Sequence, residues 1–354
     1  MLTPYVWMFI SSYESLRHYV LQNTNISGLI QLEYNAFEAA CVPVATFILH
    51  NTDERYKGNY IKLSDFKGAE NQAPKTIEAI QNHNCGYYFE TSTENFSKIP
   101  GSPIAYWVSR NFLLGFVNNK KLEEKDYPKQ GLITGDNLQF LRLWYEVCNL
   151  NIDFYCSSCD DSAHSGIFWF PYNKGGDFRK WYGNNDYIVN WKNDGYEIKH
   201  FIDNKGKLRS RPQNTNCYFK EHVTWSKISS SKISFRLKNI GSIFSDAGCA
   251  IILSDNDKWY VLGLLNSIYA QSVFDIINPT INYTQGTIAS LPYKEMNKQI
   301  VDKLAVLGIK ISDERNNIRG EEKLISSDDS SVPVYIIPTN EEVMIARDTY
   351  NLAL

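Results

Sequence analysis

ISGLIQLEYNAFEAACVPVATFIL (Ile26–Leu49) contains two apolar runs of strand length, Ile26–Leu32 and Cys41–Leu49, separated by a more polar segment. Branched and aromatic side chains in runs this short are typical of buried strands. Upstream, Leu2–Ser11 is another apolar run, and Ser12–Gln22 has the periodicity of an amphipathic helix. This order of elements predicts the closing part of an α/β sheet.

The sheet predicted from these runs is incomplete. Buried strands need neighbours on both sides and helices on both faces. Only one further short strand is indicated downstream, at Tyr60–Leu63, and too few elements stand before Ile26 to supply the rest. We therefore expect residues 1–66 to form a partial α/β domain.

The remainder of the chain is patterned differently. Residues 67–97 are polar and mixed, which fits a connector or a small helical segment. Residues 98–295 alternate short aromatic strands with turn signals and include a helix-like stretch at Trp259–Tyr269, which predicts a mixed α+β, β-rich domain. Residues 296–354 contain a candidate helix at Ile300–Leu307 and a polar tail that is expected to be flexible at Ser326–Ser331.

Charge is distributed unevenly along the chain. The formal net charge is −3, yet Lys174–Lys238 contains fourteen Lys and Arg against six Asp and Glu. From Glu321 onward the balance reverses, with seven acids against two bases. Because nucleic-acid binding depends on the local field rather than on the sum over the chain, the middle segment is the candidate binding region.

Targeting and redox signals are sparse. No basic segment typical of a secretion signal follows Met1, and no apolar run approaches the roughly 20 residues that span a bilayer. Seven cysteines in a chain of this length do not resemble a disulfide framework. We therefore expect a cytoplasmic protein without membrane contact.

Several motifs of complete enzymes are missing from the sequence. It has no glycine-rich cofactor loop in the α/β segment, no Pro-Pro turn, no P-loop, no HExxH and no G-x-S-x-G. Cys156, Cys159 and His164 begin a zinc-knuckle spacing, but Trp169 stands where the fourth ligand is required. We predict no metal site.

WFPYNKGGDFRKWYGNNDYIVNW (Trp169–Trp191) is the strongest binding signal. Its cations alternate with aromatic side chains, its paired glycines allow close approach of the backbone, and an Asn amide can both donate to and accept from an adenine edge. An aromatic hairpin whose charges merely face water is an equal alternative on this segment alone. The candidate DNA-binding residues are Lys174, Gly175, Gly176, Arg179, Lys180, Tyr182, Asn184 and Asn185.

Six segments, in order along the chain, resemble PglX, the adenine-specific DNA methyltransferase family of type 1 BREX phage-defence systems. The resemblance extends from Leu2 to about Ser312 and then ends. The six segments are LTPYVWMFISSYESLR (Leu2–Arg17), LIQLEYNAFEAACVPVATFIL (Leu29–Leu49), KIPGSPIAYWVS (Lys98–Ser109), ITGDNLQFLRLWYEV (Ile133–Val147), FPYNKGGDFRKWYGN (Phe170–Asn184) and INPTINYTQGTIASLP (Ile277–Pro292).

The resemblance implies the end of a Rossmann-like methyltransferase sheet, with Leu2–Ser11 as a post-catalytic strand, followed by a β-rich target-recognition domain over 98–295. Phe37 matches an aromatic expected to stack on a flipped adenine, and a core aromatic is an equal alternative. The complete enzyme would use S-adenosyl-L-methionine. Backbone-positioning or structural roles are implied for Thr134, Asp136, Asn137 and Arg142.

The family's cofactor and catalytic motifs have no counterpart in this sequence. We therefore expect a DNA-binding, C-terminal portion of a phage-defence, restriction-modification methyltransferase that uses no cofactor by itself. Its expected partners are double-stranded DNA, a separately encoded N-terminal methyltransferase fragment and other defence-system proteins. The divergent tail suggests a truncated, split or frame-shifted gene. The alternatives are a non-catalytic interaction protein or remnant and, with less support, a nuclease-type defence enzyme.

Overall fold

The chain divides into two compact units, Met1–Tyr293 and Lys294–Leu354. The first unit mixes helices with several sheets, as the sequence predicted. The computed structural model describes residues 1–37, 41–278, 280–294, 312–316, 323–324, 326–330 and 335–336.

Five strands near the N-terminus form one sheet in the order β1-β3-β2-β4-β5. The pair β2–β4 is parallel, and the pairs β1–β3, β2–β3 and β4–β5 are antiparallel. The predicted strands at Ile26–Leu32, Cys41–Leu49 and Tyr60–Leu63 are confirmed with small changes of boundary. The five strands are β1 (Leu2–Pro4), β2 (Asn25–Gln31), β3 (Val44–His50), β4 (Lys57–Lys62) and β5 (Tyr88–Ser92).

A helix packs on each face of this sheet. The predicted first helix is α1 (Glu14–Asn23), and its Leu21 joins the larger apolar cluster around Phe47 and Tyr60. On the opposite face, α2 (Ala69–Gln81) contributes Ala79 to a smaller cluster. Successive residues of β4, such as Tyr60 and Ile61, enter the two different clusters because side chains alternate along a strand.

Two expectations for this region need correction. Only Leu2–Pro4 is a strand within the predicted Leu2–Ser11 run, because a 3-10 helix begins at Tyr5. The segment 67–97, expected to be a connector or a small helical segment, contains the helix α2 and also the unpredicted strand β5, which pairs with β4 and extends the sheet. Its polar composition reflects a half-exposed helix and an edge strand rather than a link between domains.

The chain from Ser92 to Tyr293 contains three further sheets. A four-stranded sheet has the order β12-β8-β9-β7, a three-stranded sheet has the order β11-β10-β13, and β14 pairs with β6. The strands are β6 (Lys120–Lys121), β7 (Leu141–Leu143), β8 (Trp169–Asn173), β9 (Tyr187–Asn190), β10 (His222–Ser226), β11 (Phe235–Lys238), β12 (Ile243–Phe244), β13 (Gly248–Ile251) and β14 (Pro292–Tyr293).

Seven helices connect or cover these sheets in the described part of the first unit. The helix predicted at Trp259–Tyr269 is instead two helices, because Ser267 caps the second one through the backbone N–H of Ala270. The helices are α3 (Arg110–Asn118), α4 (Asn137–Phe140), α5 (Cys159–His164), α6 (Lys192–Lys199), α7 (Asp255–Leu265), α8 (Ile268–Ile277) and α9 (Gln285–Ala289).

Among the described residues, no single helix is long and apolar enough to cross a membrane. The segments Asp257–Leu265 and Ile268–Ile277, bent by 61°, meet that test only together, by length and composition. Val261, Phe274 and their neighbours on these two helices belong to the largest buried apolar cluster of the chain's described part.

The second unit is described at a few positions. It contains α10 (Asp313–Asn316) and a short antiparallel pair, β15 (Lys323–Leu324) with β16 (Tyr335–Ile336). The helix predicted at Ile300–Leu307 lies outside the described residues. Arg315 donates to the Ser326 carbonyl at 2.9 Å and forms an ion pair with Asp328 at 2.7 Å, so part of the stretch expected to be flexible has defined contacts.

Candidate nucleic-acid interface

Residues 174–186 form a long loop between the antiparallel strands β8 and β9. We call it the 174–186 loop. Its middle is tied to β11, because the Trp181 N–H donates to the Phe235 carbonyl and the Leu237 N–H donates to the Trp181 carbonyl, each at 2.9 Å. The Trp181 and Tyr182 side chains remain exposed. The loop therefore presents aromatic and basic groups on a backbone that is held in place by hydrogen bonds to β11.

The paired glycines of the loop pack against the protein itself. Gly175 has a φ of +83°, and a Cβ there would lie 2.8 Å from the Ala247 carbonyl oxygen. Gly176 has a φ of +132°, and its Cβ would lie 3.0 Å from Asn184 Cγ. The space beside these two glycines, predicted to admit a ligand, is therefore filled by other residues of the protein. Both positions require glycine because of their positive φ and because a Cβ would have no room.

Gly175→Ala is expected to lower the free energy of unfolding by more than the roughly 1 kcal/mol that a positive φ alone costs. Gly206→Ala is the matched control, because Gly206 has a φ of +76° and a Cβ at this position would have no atom within 4 Å. Urea unfolding of both variants measures the difference. Equal losses of stability would show that the contact with Ala247 is unimportant.

Three separately predicted residues line one cleft of about 240 Å³ next to the loop, namely Thr134, Asn137 and Lys174. Thr134 is buried, and its hydroxyl donates to the Asn137 side-chain oxygen at 2.7 Å. Asp136 caps α4 by accepting from the Leu138 and Gln139 amides at 2.9 and 3.1 Å. Lys174 lies over the Tyr187 ring, 4.2 Å from its centroid.

Two other predicted contact residues have partners within the protein. The Lys180 ammonium donates to the Asn266 carbonyl at 2.8 Å, at the end of α7. The Arg142 guanidinium donates to the carbonyls of Leu138 and Leu141 at 2.7 and 2.6 Å. The side chains of Lys180 and Arg142 therefore stabilise backbone groups of the protein. Arg179 and Lys174 are the better candidates for ligand contact, because no hydrogen bond to a carbonyl holds their charged ends among the described residues.

The two asparagines of the loop differ in accessibility. Asn184 is 5% exposed, and its amide donates to the Asp177 carbonyl at 3.0 Å, which closes the loop on itself. Its placement does not support the predicted role in reading a base edge, because the amide that would meet the base is buried. Asn185 is exposed, although its side-chain oxygen accepts from Lys238.

Sequence reasoning missed two buried cations beneath the loop, Arg236 and Lys238 on β11. Burial lowers the pKa of Arg236 to about 10 and that of Lys238 to about 7. The sequence indicated these residues only through the alternation of apolar and basic residues in Phe235–Lys238. That alternation is typical of a strand with one solvent-exposed face. The 174–186 loop covers that face instead.

Phe37 follows β2 and is 44% exposed, so it is not a core aromatic. The turn before it is held by Glu33, whose buried carboxylate accepts from the Asn35 amide at 2.7 Å. Gln72 on α2 accepts from the Glu33 backbone N–H at 3.2 Å. Residues 38–40, which follow Phe37, lie outside the described part of the chain.

The strand-to-helix turn after β4 is closed by the protein's own Glu33 rather than open to a group such as the carboxylate of S-adenosyl-L-methionine. Gly68, at the start of α2, has a φ of +92°, and its N–H donates to the Glu33 carboxylate at 3.4 Å. A side chain of the protein therefore already occupies the helix end where an anionic group of a cofactor would bind. We derive no chemical step through this cofactor in the described residues.

The three candidate zinc ligands have separate environments. The Cys156 thiol contacts the Ser158 carbonyl at 3.3 Å, and the Cys159 thiol contacts the Thr215 carbonyl at 3.4 Å. Burial raises the pKa of these two thiols to about 11 and about 12. His164 is exposed and pairs with the Asp160 carbonyl at 2.8 Å. No group of metal-ligating residues converges in the part of the chain that the structure describes.

Most of the chain is similar to adenine-specific methyltransferases. The chain is 36% identical over 310 residues to the adenine-specific methyltransferase PglX of Lacticaseibacillus casei (strain Zhang), which corresponds to 85% of this chain and 26% of that protein. It is 33% identical over 314 residues to the adenine-specific methyltransferase BrxX of Escherichia coli O9:H4 (strain HS), covering 86% of this chain and 24% of that protein.

The predicted resemblance to PglX is confirmed, and most of this chain is PglX-like. It spans about a quarter of the length of these curated relatives. The Type IIL restriction-modification enzyme MmeI, solved in complex with DNA, aligns with 90% of this chain and 42% of its own chain, with 13% identity and a TM-score of 0.46. That score does not establish a shared fold.

A second similarity lies at the C-terminal end. Residues 280–347 match the Acetokinase family. The chain is 61% identical over 59 residues to the acetate kinase of Acholeplasma laidlawii (strain PG-8A), which corresponds to 17% of this chain and 15% of that protein. The predicted divergent tail therefore has relatives of its own, and they are of a different class from those of the first unit.

Proposed function

We propose that Met1–Tyr293 is the duplex-DNA-binding portion of an adenine-specific phage-defence methyltransferase, and that the 174–186 loop meets the DNA backbone. The observation that carries this proposal is the loop itself. It joins the exposed rings of Trp181 and Tyr182 with the basic side chains of Lys174 and Arg179, on a backbone tied to β11. Such a surface suits phosphate oxygens and sugars, which position a protein on a duplex.

The cleft beside the loop extends this surface. Lys174 and the hydrogen-bonded pair of buried Thr134 and exposed Asn137 line this cleft with polar groups. We assign backbone positioning to Lys174 and Arg179, stacking or phosphate contact to Tyr182, and a polar contact to Asn185. Thr134 and Asn184 support the surface from inside the protein, and Asn137, Arg142 and Lys180 support it through their hydrogen bonds to neighbouring groups.

Methyl transfer belongs to this proposal only through the relatives. The chain corresponds to about a quarter of the length of those proteins. We propose that methyltransferase residues outside the sequence described here supply the chemistry in the cytoplasm, with Phe37 available to stack on an extruded adenine. No activity is proposed for Lys294–Leu354, because the chain spans 15% of the acetate kinase it matches.

Binding of the whole chain to a labelled duplex of about three helical turns, measured by fluorescence anisotropy over a range of KCl concentrations, tests the proposal. We expect binding at low salt and a logarithm of affinity that falls linearly with the logarithm of salt concentration, because phosphate contacts release counterions. Absence of binding at the lowest salt, or an affinity indifferent to salt, would overturn it.

A further inference from the structure

The polar face of β11 carries two cations under the 174–186 loop. Arg236 is 0% exposed and Lys238 is 7% exposed. They are two residues apart on one strand, so both side chains point to the same face, whereas Phe235 and Leu237 pack into the apolar cluster on the other face. The strand therefore separates an apolar core from a buried, positively charged layer.

Donors from these two side chains reach both ends of the loop. The Arg236 guanidinium donates to the Arg179 carbonyl at 3.2 Å and to the Ser226 hydroxyl at 3.1 Å, which in turn donates to the Gly176 carbonyl at 2.7 Å. The Lys238 ammonium donates to the carbonyls of Gly183 at 3.0 Å and Asn184 at 2.8 Å. The loop's carbonyl groups are thereby turned inward.

Neither cation has an anionic partner at ion-pair distance among the described residues. Their acceptors are all neutral, and the Arg236 Nε is buried without a hydrogen-bond partner. Burying two like charges without a direct ion-pair partner is unfavourable, and such perturbed ionisable groups concentrate at functional sites. The 174–186 loop lies on the side of this charged layer that faces away from the core. An anion bound on the outer surface of the loop would therefore balance the buried positive charge.

We propose that Arg236 and Lys238 are positioning residues for phosphate binding, holding the loop's carbonyls inward and placing two positive charges beneath the surface that a DNA phosphate approaches. They do not touch the DNA themselves. This inference rests on the proposed function, because it assumes that the anion is the backbone of a duplex.

The arrangement makes binding depend on pH through Lys238. Its charged and titratable neighbours are Arg236 on the same strand, His222 opposite it on β10, and Asp186 on the loop, and Arg179 acts on Arg236. Burial holds the pKa of His222 at about 4, so this ring stays neutral near pH 7. A bound phosphate favours the charged ammonium and raises the Lys238 pKa, so above about pH 7 binding takes up a proton and weakens as pH rises.

The test measures duplex affinity between about pH 6.5 and pH 8.5 at fixed ionic strength, for the full-length protein and for Lys238→Arg and Lys238→Met. The unmodified protein is expected to lose on the order of tenfold in affinity over this range, which is the effect of a shift of about one pKa unit in one coupled group. Lys238→Arg should retain the affinity seen at low pH and lose the pH dependence, because the guanidinium stays charged.

Lys238→Met should bind at all pH values about as weakly as the unmodified protein does at the upper end of the range. A purely structural role for Lys238 would give the same pH profile in the unmodified protein and in Lys238→Arg, and that result would overturn the inference while leaving DNA binding intact. If the unmodified protein binds no duplex at any pH, the proposed function fails, and the inference fails with it.

Discussion

Arg17→Met is expected to lower the free energy of unfolding by about 3–5 kcal/mol. The Arg17 side chain is 1% exposed and donates to backbone carbonyls, namely those of Trp7 at 2.8 Å, Ile10 at 2.7 Å and Gly101 at 2.6 and 2.9 Å. Methionine fills similar space but leaves three buried carbonyl groups without these donors, and each unsatisfied group carries a desolvation penalty.

Arg55→Met is the matched control for that experiment. Arg55 also donates to two carbonyls, those of Gln22 at 2.7 Å and Thr24 at 2.9 Å, but it does so at the exposed surface. Water can replace these bonds, so the expected loss is below about 1 kcal/mol. Urea unfolding followed by tryptophan fluorescence compares the two variants, and similar losses would mean that burial of Arg17 does not determine its contribution.

The second large effect is on binding. Lys174→Ala combined with Arg179→Ala is expected to reduce duplex affinity on the order of tenfold or more at low salt, and to reduce the salt slope by about two, because two phosphate contacts are removed. The two side chains project from a loop whose backbone is tied to β11. Lys180 is left unchanged because its ammonium supports the end of α7.

Lys205→Ala combined with Lys207→Ala removes the same charge from the same basic segment of sequence, in a turn closed by Asp203. We expect its affinity and salt slope to stay within about twofold of those of the unmodified protein, because these lysines lie outside the proposed interface. Equal losses in the two double variants would show that net charge, rather than the 174–186 loop, governs binding.

Much of the first sheet follows from sequence because its strands are short, apolar and separated by clear turns. Ile26–Leu32 and Cys41–Leu49 anticipate β2 and β3 closely. Tyr88–Ser92 escaped prediction because an edge strand with one open face is polar enough to resemble a connector. Pairing with β4, which lies distant in sequence, decides its structure.

The candidate interface was predictable as a segment but less so residue by residue. Aromatic and basic residues marked the 174–186 loop, and turn signals placed it between strands. Burial of Asn184 and Arg17 was not predictable, because polar side chains normally face water unless distant backbone groups satisfy them. The hydrogen-bond partners of both side chains are backbone carbonyls. Every residue type has such a carbonyl, so the sequence does not indicate which one will accept.

The burial of Arg236 and Lys238 was not predictable from the sequence either. Their alternation with Phe235 and Leu237 indicates a strand with one polar face, and the sequence contains nothing that places a loop over that face. The loop that covers this face lies about 55 positions earlier in the sequence. Arg236 and Lys238 hold it by donating hydrogen bonds to the carbonyls of Arg179 and Gly183. Local patterning reports periodicity, whereas the neighbours of a face depend on tertiary packing.

Photo-crosslinking from the 174–186 loop to duplex DNA tests the central claim most directly. Tyr182, which is 60% exposed, is replaced by p-benzoylphenylalanine, and Tyr155, which is 81% exposed and lies outside the loop, receives the same replacement as a control. We expect a covalent adduct with the duplex from position 182 that diminishes as salt rises, and little or none from position 155. A protein that still binds the duplex but forms no adduct from position 182 would contradict the account.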